Sequence, residues 1–388
     1  MDSTWFPQSF VTRCSIGTVP RCAEPLFVGS DFCRVHAFGR NHPLAIPRVS
    51  AVMELCEALG WLDDGSFRRA PAAGIERLAG FHDRRYIEAL READASGTVQ
   101  PEVRARHHFG NLENPIFPGV FERAATAVGG SILAAELALE GRVVFHPAGG
   151  THHGRPDRAS GFCYFNDPVF AIGTFLERGA GRVLYVDLDA HHCDGVQDAF
   201  RGDERVLLVS IHEAGRWPHT GAAEDRGSGN ARNLPVPAGF NDTELRCLLD
   251  EVVLPAGAAL DPDAVVITCG TDALEGDPLS RMALSNGALW DAVDALIRLA
   301  GPAVVLGGGG YNPWTLARCW TGLWGRLSGR DIPDALPPEA QLVLADLQCD
   351  LVDDEDLKCE WFKALADAPN EGPVRKEIRD LAARATEE

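Results

Sequence analysis

Acidic and histidine side chains are concentrated in one short stretch of the sequence, DLDAHHCD at residues 187–194. The residues just before it, 183–186, have the apolar character of a short strand. Side chains alternate along a strand, so Asp187, Asp189 and His191 would project to one face if the extended conformation continued. One imidazole with several carboxylate oxygens suits a divalent metal ion, and the stretch therefore predicts a metal site.

Other short apolar runs are also followed by residues that can take part in catalysis. His152 and His153 follow one run, Asp272 follows another, and Tyr311 comes after four consecutive glycines behind a third. A histidine near a metal ion can transfer protons, because the reference pKa of imidazole is about 6.5. A phenol delivered by a glycine run can donate to a developing oxyanion. A phosphate-binding glycine loop is not supported, because no Lys-Ser/Thr follows the glycines.

Three of these residues make a ligand set for a catalytic zinc ion, which needs three protein ligands and an open position. The set is Asp189, His191 and Asp272. Since two of the three ligands are carboxylates, iron(II) or another divalent ion remains an alternative. The paired histidines each need a carboxylate on the far ring nitrogen, and Asp187 and Asp194 are the candidates for this.

The elements that must position these residues form a repeating pattern. Short apolar strands are predicted at residues 143–145, 183–186, 206–211, 264–268 and 303–306. They alternate with helical segments at residues 168–177, 243–254 and 288–299. Such apolar strands spaced by helices predict an α/β fold with a parallel sheet covered on both faces. Ligands of open parallel sheets bind outside the carboxyl ends of the strands, so the candidate residues are expected to meet at one rim.

The remaining segments are less regular. Helices are predicted at residues 48–60, 83–95 and 120–139. Loops or irregular structure are predicted at residues 1–47, 96–118 and 212–240. Asp277 precedes Pro278 and is interpreted as a turn residue rather than a metal ligand. Neither an internal repeat nor a linker divides the chain, so one domain is expected over residues 1–388.

Composition limits the classes of partner. The formal net charge of −20 argues against nucleic acid, whose phosphates require Lys and Arg, and is compatible with a cationic substrate or with plain solubility. No apolar run reaches the roughly 18 residues of a membrane span, and the N-terminus lacks a signal-peptide profile, so a cytoplasmic location is expected. The eleven cysteines are interpreted as free thiols. One further group has no clean metal-binding spacing and no assigned role: Cys14, Cys22, Cys33 and His36.

Five motifs resemble those of the zinc-dependent histone deacetylase superfamily, in particular its bacterial acetoin-utilisation type. In chain order they are GGTHH, GFCYFND, DLDAHHCDGVQ, TDALEGDP and GGGGYN. The resemblance runs over residues 41–324, between an irregular N-terminal segment, 1–40, and a C-terminal helical extension, 325–388. It implies a single arginase-like α/β domain with about eight parallel strands and an active site at their carboxyl ends.

The resemblance also implies a role for each candidate residue. Asp189, His191 and Asp272 would hold zinc. His153, paired with Asp194, would act as general base and acid, and His152, paired with Asp187, would assist electrostatically. Tyr311 would polarise the substrate carbonyl. The tunnel and its rim would be formed by Glu113, Gly161, Phe162, Trp217, His219 and Leu279.

Potassium is a further cofactor that the resemblance implies. A structural potassium ion would bind, mostly through main-chain oxygens, at Asp187, Asp189, His191, Ser210 and Ile211. A second monovalent site would lie near Phe200, Asp203 and Val206. The chain departs from the family pattern with Glu113 in place of Asp, His219 and Cys193 in place of Gly, and Gly154 in place of Ala. These departures leave the chemistry intact and the substrate open.

The expected reaction is hydrolysis of an N-acyl amide, with N-ε-acetyl-lysine of a protein or peptide as the substrate. Three alternatives remain: an amidohydrolase acting on acetylpolyamines or other small acylated amines, a two-metal ureohydrolase, and an inactive binding module. Neither nucleic acid nor membrane is expected as a partner. The oligomeric state is not predicted.

Overall fold

The computed structural model describes residues 23–34, 38, 39 and 42–386. Three members of the Cys/His group without an assigned role, Cys14, Cys22 and His36, lie outside the described residues, as does the side chain of Cys33. Among the described residues, no helix is both long and apolar enough to cross a membrane.

Eight strands form one sheet in which every neighbouring pair is parallel. Their bounds are β1 (Leu26–Gly29), β2 (Phe67–Arg69), β3 (Val143–His146), β4 (Val183–Asp187), β5 (Val206–Glu213), β6 (Ala231–Val236), β7 (Ala264–Thr268) and β8 (Ala303–Leu306). The order across the sheet is β2-β1-β3-β8-β7-β4-β5-β6. The predicted fold class is thereby confirmed, and the five predicted strands are β3, β4, β5, β7 and β8.

The sheet is buried on both faces because its strands are apolar at consecutive positions. In β4, Leu184 and Val186 pack into the core on one face, whereas Val183 and Tyr185 pack into the core on the other. This follows from the alternation of side chains along a strand. The predicted two-sided covering by helices is therefore present.

Thirteen α-helices are described outside the sheet. Their bounds are α1 (Val49–Ala58), α2 (Ile75–Leu78), α3 (Arg84–Ser96), α4 (Pro101–His107), α5 (Val120–Ala138), α6 (Asp167–Glu177), α7 (Asp194–Ala199), α8 (Asp242–Leu248), α9 (Leu254–Leu260), α10 (Asn286–Leu296), α11 (Pro313–Leu327), α12 (Pro338–Ala345) and α13 (Lys376–Thr386). The six predicted helices are found as α1, α3, α5, α6, α8 and α10. The segment predicted at 243–254 continues through a π-helical turn, Leu249–Val253, into α9.

Three predictions of irregular structure are wrong in part. The predicted loop at 96–118 contains α4, because Pro101 occupies the first turn of the helix, where its missing N–H is tolerated. The predicted loop at 212–240 contains β6, whose Pro235 is accommodated because β6 is an edge strand. The predicted irregular region at 1–47 contains β1, which lies inside the sheet.

Residues beyond α11 pack onto the same core as one face of the sheet. Buried members of this core from the C-terminal part are Leu336, Leu344, Trp361, Leu365, Ile378 and Leu381. The guanidinium of Arg318 in α11 is fully buried and forms an ion pair with Asp367, with Nη1 and Oδ1 2.7 Å apart. The C-terminal part thus contributes directly to the packing behind the sheet.

Candidate active site

Four adjacent strands deliver the candidate residues to one edge of the sheet. These strands are neighbours in the order β3-β8-β7-β4. The paired histidines follow β3, and the glycine run with Tyr311 follows β8. Asp272 follows β7, and the DLDAHHCD stretch begins at the last residue of β4. All of these strands run parallel, so their carboxyl ends lie at the same edge. The convergence expected from the sequence is present.

The Asp-His-Asp group is compact and buried. The ligand atoms that Asp189, His191 and Asp272 can offer lie within 4.8 Å of one another. His191 Nδ1 lies 2.9 Å from Asp272 Oδ2 and 3.3 Å from Asp189 Oδ1. Backbone N–H groups hold the carboxylates in place, since Ala190 donates to Asp272 and Gly309 donates to Asp189.

This group fits a divalent cation. Burial, together with the nearby charge of Asp189, raises the pKa of Asp272 to about 6. Two buried carboxylates this close repel each other, and a cation between them relieves that repulsion. Two carboxylates and one imidazole are also ligands that zinc accepts. A search of the described residues for clusters of at least three His, Cys, Asp or Glu side chains that could hold a metal ion finds this group.

Each of the paired histidines has its own aspartate. His152 Nδ1 lies 2.7 Å from Asp187 Oδ2, and His153 Nδ1 lies 2.7 Å from Asp194 Oδ1. Burial opposes protonation of His152, but the carboxylates of Asp187 and Asp189 outweigh it and raise its pKa to about 9. For His153, burial and the charge of His152 lower the pKa to about 3. His153 is consequently neutral near pH 7 and can accept a proton.

The start of α6 holds the loop that carries these histidines. Asn166 caps the helix through its side-chain oxygen, while its amide nitrogen donates to the carbonyls of His152 and Gly154, at 3.1 and 2.9 Å. The carboxylate of Asp167 accepts the Thr151 N–H at 2.7 Å. A helix cap thereby also fixes the backbone around the histidines.

The glycine run brings the backbone against the Asp-His-Asp group. A Cβ at Gly309 would lie 2.1 Å from Asp272 Oδ2, so no larger residue fits there without displacing that carboxylate. The run delivers Tyr311, which is buried at the pocket. Burial and the nearby carboxylates of Asp272 and Asp189 raise the pKa of Tyr311 well above its ordinary value. Its phenol is therefore protonated and can donate a hydrogen bond.

A pocket of about 630 Å³ leads to these residues. Its lining includes His153, His191 and Tyr311 together with the six predicted tunnel and rim residues: Glu113, Gly161, Phe162, Trp217, His219 and Leu279. The ring of Phe162 lies 5.9 Å from that of Tyr311, and the ring of Trp217 lies 4.6 Å from that of His153. Aromatic rings therefore flank the residues that can do chemistry.

The rim is held by specific contacts. Glu113 Oε1 accepts the Gly161 N–H at 2.6 Å. A Cβ at Gly161 would lie 2.3 Å from the ring of Trp217, so this side of the passage requires glycine. His219 Nδ1 lies 3.1 Å from the Gly215 carbonyl oxygen.

The two predicted potassium sites differ in their surroundings. Asp187 and Ser210 are paired in register at the ends of β4 and β5, and Ile211 follows Ser210, so the residues named for the first site lie close together. At the second, the Asn230 side-chain nitrogen donates to the carbonyls of Phe200, Asp203 and Val206, at 2.7, 3.2 and 3.0 Å. The three carbonyls named for the second site thus already have a donor.

Several residues at the site were not found by sequence reasoning. Asp277 does shape a turn, through the Leu279 N–H, but its other oxygen accepts the Tyr311 N–H at 2.7 Å. Arg155 donates to the free oxygen of Asp194. Neither contact could be inferred from spacing, although Arg155 stands two residues after the histidine pair. His192, which follows the predicted ligand His191, lies within hydrogen-bond distance of Thr220 and Gln197.

Charged residues near the site were also missed: Arg48 behind the glycine run, and Glu213, Arg216 and Arg281 in the pocket lining. Arg48 donates to the Gly308 carbonyl and lies over the Trp320 ring, 5.2 Å from its centroid. The other three line the pocket. They come from two segments far apart in the sequence, so no local sequence pattern indicates that they lie at the same pocket.

A buried Asp-His-Asp group facing two His–Asp pairs, at the carboxyl edge of a parallel sheet, is an arrangement typical of metal-dependent hydrolases. Comparison with known proteins defines the class further. The histone deacetylase domain model matches residues 42–327. The chain belongs to the histone deacetylase family, and it is a deacetylase-type hydrolase.

Relatives with curated sequences and solved structures agree with this assignment. Histone deacetylase 8 of Xenopus tropicalis is 34% identical over 298 residues, which cover 75% of this chain and 80% of that protein. The acetoin utilization protein AcuC of Bacillus subtilis is 33% identical over 335 residues, which cover 81% and 85%. The crystal structure of a histone deacetylase homologue from Aquifex aeolicus superposes with a TM-score of 0.90 at 36% identity, covering 94% of this chain and all of that one.

Proposed function

We propose that the protein removes acetyl or other short acyl groups from N-ε-acyl-lysine in proteins or peptides by zinc-dependent hydrolysis. The observation that carries this proposal is the meeting of three groups at the inner end of one pocket. These groups are the buried Asp-His-Asp cluster, the His153–Asp194 pair and the protonated Tyr311. Amide hydrolysis needs an electrophilic centre, a base and an oxyanion donor, and the three groups can supply these functions.

The zinc ion would be held by Asp189, His191 and Asp272. When bound there, it supplies Lewis acidity towards the amide carbonyl and lowers the pKa of a coordinated water. Iron(II) would satisfy the same ligands. The structural potassium ion is proposed at Asp187, Asp189, His191, Ser210 and Ile211, where strand register brings the ends of β4 and β5 together.

His153 is proposed as the proton-transfer residue. Asp194 occupies its Nδ1, so Nε2 is the nitrogen available to the pocket that His153 lines. In its neutral form the imidazole accepts a proton from the attacking water and returns it to the nitrogen of the leaving amine. His152 lies behind, with its Nε2 3.8 Å from Asp189, where its positive charge offsets the carboxylates.

Tyr311 and the aromatic walls complete the proposed mechanism. The phenol donates to the carbonyl oxygen as negative charge develops on it. Phe162 and Trp217 flank the aliphatic arm of the lysine and exclude water from it. Glu113, at the rim, presents a carboxylate to the main-chain N–H groups of a bound peptide.

A turnover screen on the zinc-loaded protein tests this proposal. The panel pairs acyl-lysine peptides of increasing acyl length with acetylpolyamines and other small acylated amines. Higher kcat/KM on acetyl-lysine peptides supports the proposal. Higher kcat/KM on acetylpolyamines would show that the protein is an amidohydrolase of small acylated amines instead. Urea release from guanidino compounds would indicate a ureohydrolase.

A further inference from the structure

One acidic and one basic residue of the pocket lining are already paired with each other. Glu213 and Arg216 both line the pocket, and the Arg216 guanidinium binds Glu213 through two hydrogen bonds, Nε to Oε2 at 2.5 Å and Nη2 to Oε1 at 2.8 Å. Glu213 is buried and accepts a third hydrogen bond, from the Arg281 N–H at 2.8 Å. Its single negative charge is therefore already neutralised by Arg216.

The backbone at Arg281 is fixed at the mouth. Besides its N–H bond to Glu213, the Arg281 carbonyl accepts the Gly239 N–H at 2.6 Å. The next residue, Met282, is buried in the core, and its N–H is bound by the Ser280 hydroxyl. Because this short segment is held on both sides, Arg281 keeps its place in the pocket lining while its side chain is exposed.

The Arg281 guanidinium has no ion pair or hydrogen bond with any residue that the structure describes. The other carboxylate of the lining, Glu113, is bound to Gly161, beside Phe162. The backbone N–H of Arg281, by contrast, donates to Glu213, on the segment that leads to Trp217 and His219. Arg281 is thus a cation of the pocket lining without an ion pair among the described residues, in a chain whose net charge is −20.

We propose that Arg281 forms a subsite for a substrate carboxylate located near the α-carbon of the acylated lysine. This inference rests on the proposed function. When the acyl amide lies next to His153 and Tyr311, the α-carbon end of the lysine lies at the mouth, where Arg281 is. Such a carboxylate has two sources, the free α-carboxylate of an acylated amino acid or an acidic side chain adjacent to the lysine in a peptide. A protonated amine brought to the same place, as by a polyamine, is repelled.

Two matched pairs of substrates test the subsite and separate the two sources. One pair is N-ε-acetyl-lysine with a free α-carboxylate and the same compound as the α-carboxamide. The other pair is an acetyl-lysine peptide with Glu or with Gln next to the lysine. In the pair that matches the true source of the carboxylate, we expect kcat/KM to be about threefold to fivefold higher for the carboxylate member at low salt, as for a partly exposed ion pair. This preference should fall as ionic strength rises.

Variants assign the preference to Arg281. Arg281→Gln should abolish it, Arg281→Glu should reverse it, and Arg281→Lys should retain part of it. Arg91→Gln is the matched control, because Arg91 is exposed on α3 and the substitution changes the net charge equally. The control should keep the wild-type preference.

A binding measurement distinguishes failure of the subsite from failure of the proposed function. Calorimetry of the same four ligands with zinc-loaded Tyr311→Phe protein should show the same preference. Equal turnover and binding within both pairs, or a preference that persists in Arg281→Gln, would overturn the subsite and leave the deacetylase proposal standing. Charge-dependent binding without turnover by the wild type would support the subsite and overturn the proposed reaction. Absence of both binding and turnover would overturn both.

Discussion

Two histidines that are adjacent in the sequence occupy different positions in the site. His153 lines the pocket, whereas His152 lies behind it, close to Asp189. Burial lowers the pKa of His153 to about 3, while the carboxylates around His152 overcome burial and raise its pKa to about 9. We therefore propose His153 as the proton acceptor and His152 as a source of positive charge.

Asp194 should be needed for that assignment. Asp194→Asn removes the negative charge that orients His153 and increases its basicity, so kcat should fall about 10- to 100-fold. Steady-state kinetics on an acetyl-lysine peptide measures this change. Asp198→Asn is the matched control, because Asp198 also binds Arg155 but is half exposed and does not contact His153. Equal losses of kcat in the two variants would show that Asp194 acts on catalysis through Arg155 and not through His153.

Tyr311 should act on kcat rather than on binding. Tyr311→Phe removes the proposed oxyanion donor while keeping the ring beside Phe162, so kcat should fall by about 100-fold or more with little change in KM. Rapid quench or continuous fluorescence assays resolve a decrease of this size. Near wild-type kcat on a good substrate would exclude the oxyanion role.

At the scale of residues, the sequence indicates those side chains that cluster in motifs. Asp189, His191 and the paired histidines lie directly behind apolar runs, so periodicity and spacing point to them. Arg281 and Glu213 could not be found in this way, because 68 residues separate them and neither stands in a motif. Their contact depends on how the end of β5 meets the segment after β7.

Among the elements, the glycine segment between β8 and α11 leaves no room for a side chain beside the Asp-His-Asp group. It passes so close to the Asp-His-Asp group that a Cβ at Gly309 would overlap the Asp272 carboxylate. The strand ends carry the proposed ligands, but this segment determines how much room those side chains have. The sequence shows four glycines; it does not show which atoms they approach.

Gly309→Ala should therefore weaken metal binding. Displacement of Asp272 should lower zinc affinity by about tenfold or more, as measured by competition with a chromogenic chelator. Gly287→Ala in α10 is the matched control, since the nearest atom to a Cβ there lies at 3.7 Å. Unchanged zinc affinity in Gly309→Ala would mean that the two carboxylates can shift without affecting the site.

Elements were predicted where their apolar pattern was long or regular. The two central strands of the site, β7 and β8, were located to the residue, since each is a short, largely apolar run closed by glycine or cysteine. Errors came from proline and from short strands. Pro101 begins α4 instead of breaking it, and β1 and β2, of four and three residues, depend on their neighbours for stability.

On the scale of the whole molecule, the C-terminal part supports the sheet that carries the site. Arg318, within α11, has a fully buried guanidinium whose charge is balanced by Asp367. Its other nitrogens donate to the Ala364 and Ala366 carbonyls. The helix that follows Tyr311 is thus tied to a segment beyond the family match, which ends at residue 327.

Asp367→Asn should destabilise the protein by about 2 to 3 kcal/mol, because it leaves a buried charge without its partner. Urea unfolding followed by fluorescence gives this difference. Asp291→Asn is the matched control, as Asp291 is exposed and its partner Arg326 retains Asp294. That control should lose less than about 0.5 kcal/mol. A similar small loss in Asp367→Asn would show that the C-terminal part adds little to stability.

We propose that one zinc ion, held by Asp189, His191 and Asp272, makes this protein an amidohydrolase. The most direct measurement combines metal analysis with turnover on chelator-treated protein titrated with zinc. We expect activity on an acetyl-lysine peptide to return in proportion to zinc and to reach a plateau at one ion per chain, with neither binding nor activity in Asp272→Asn. Full activity in metal-free protein, or a requirement for two ions per chain, would contradict the account.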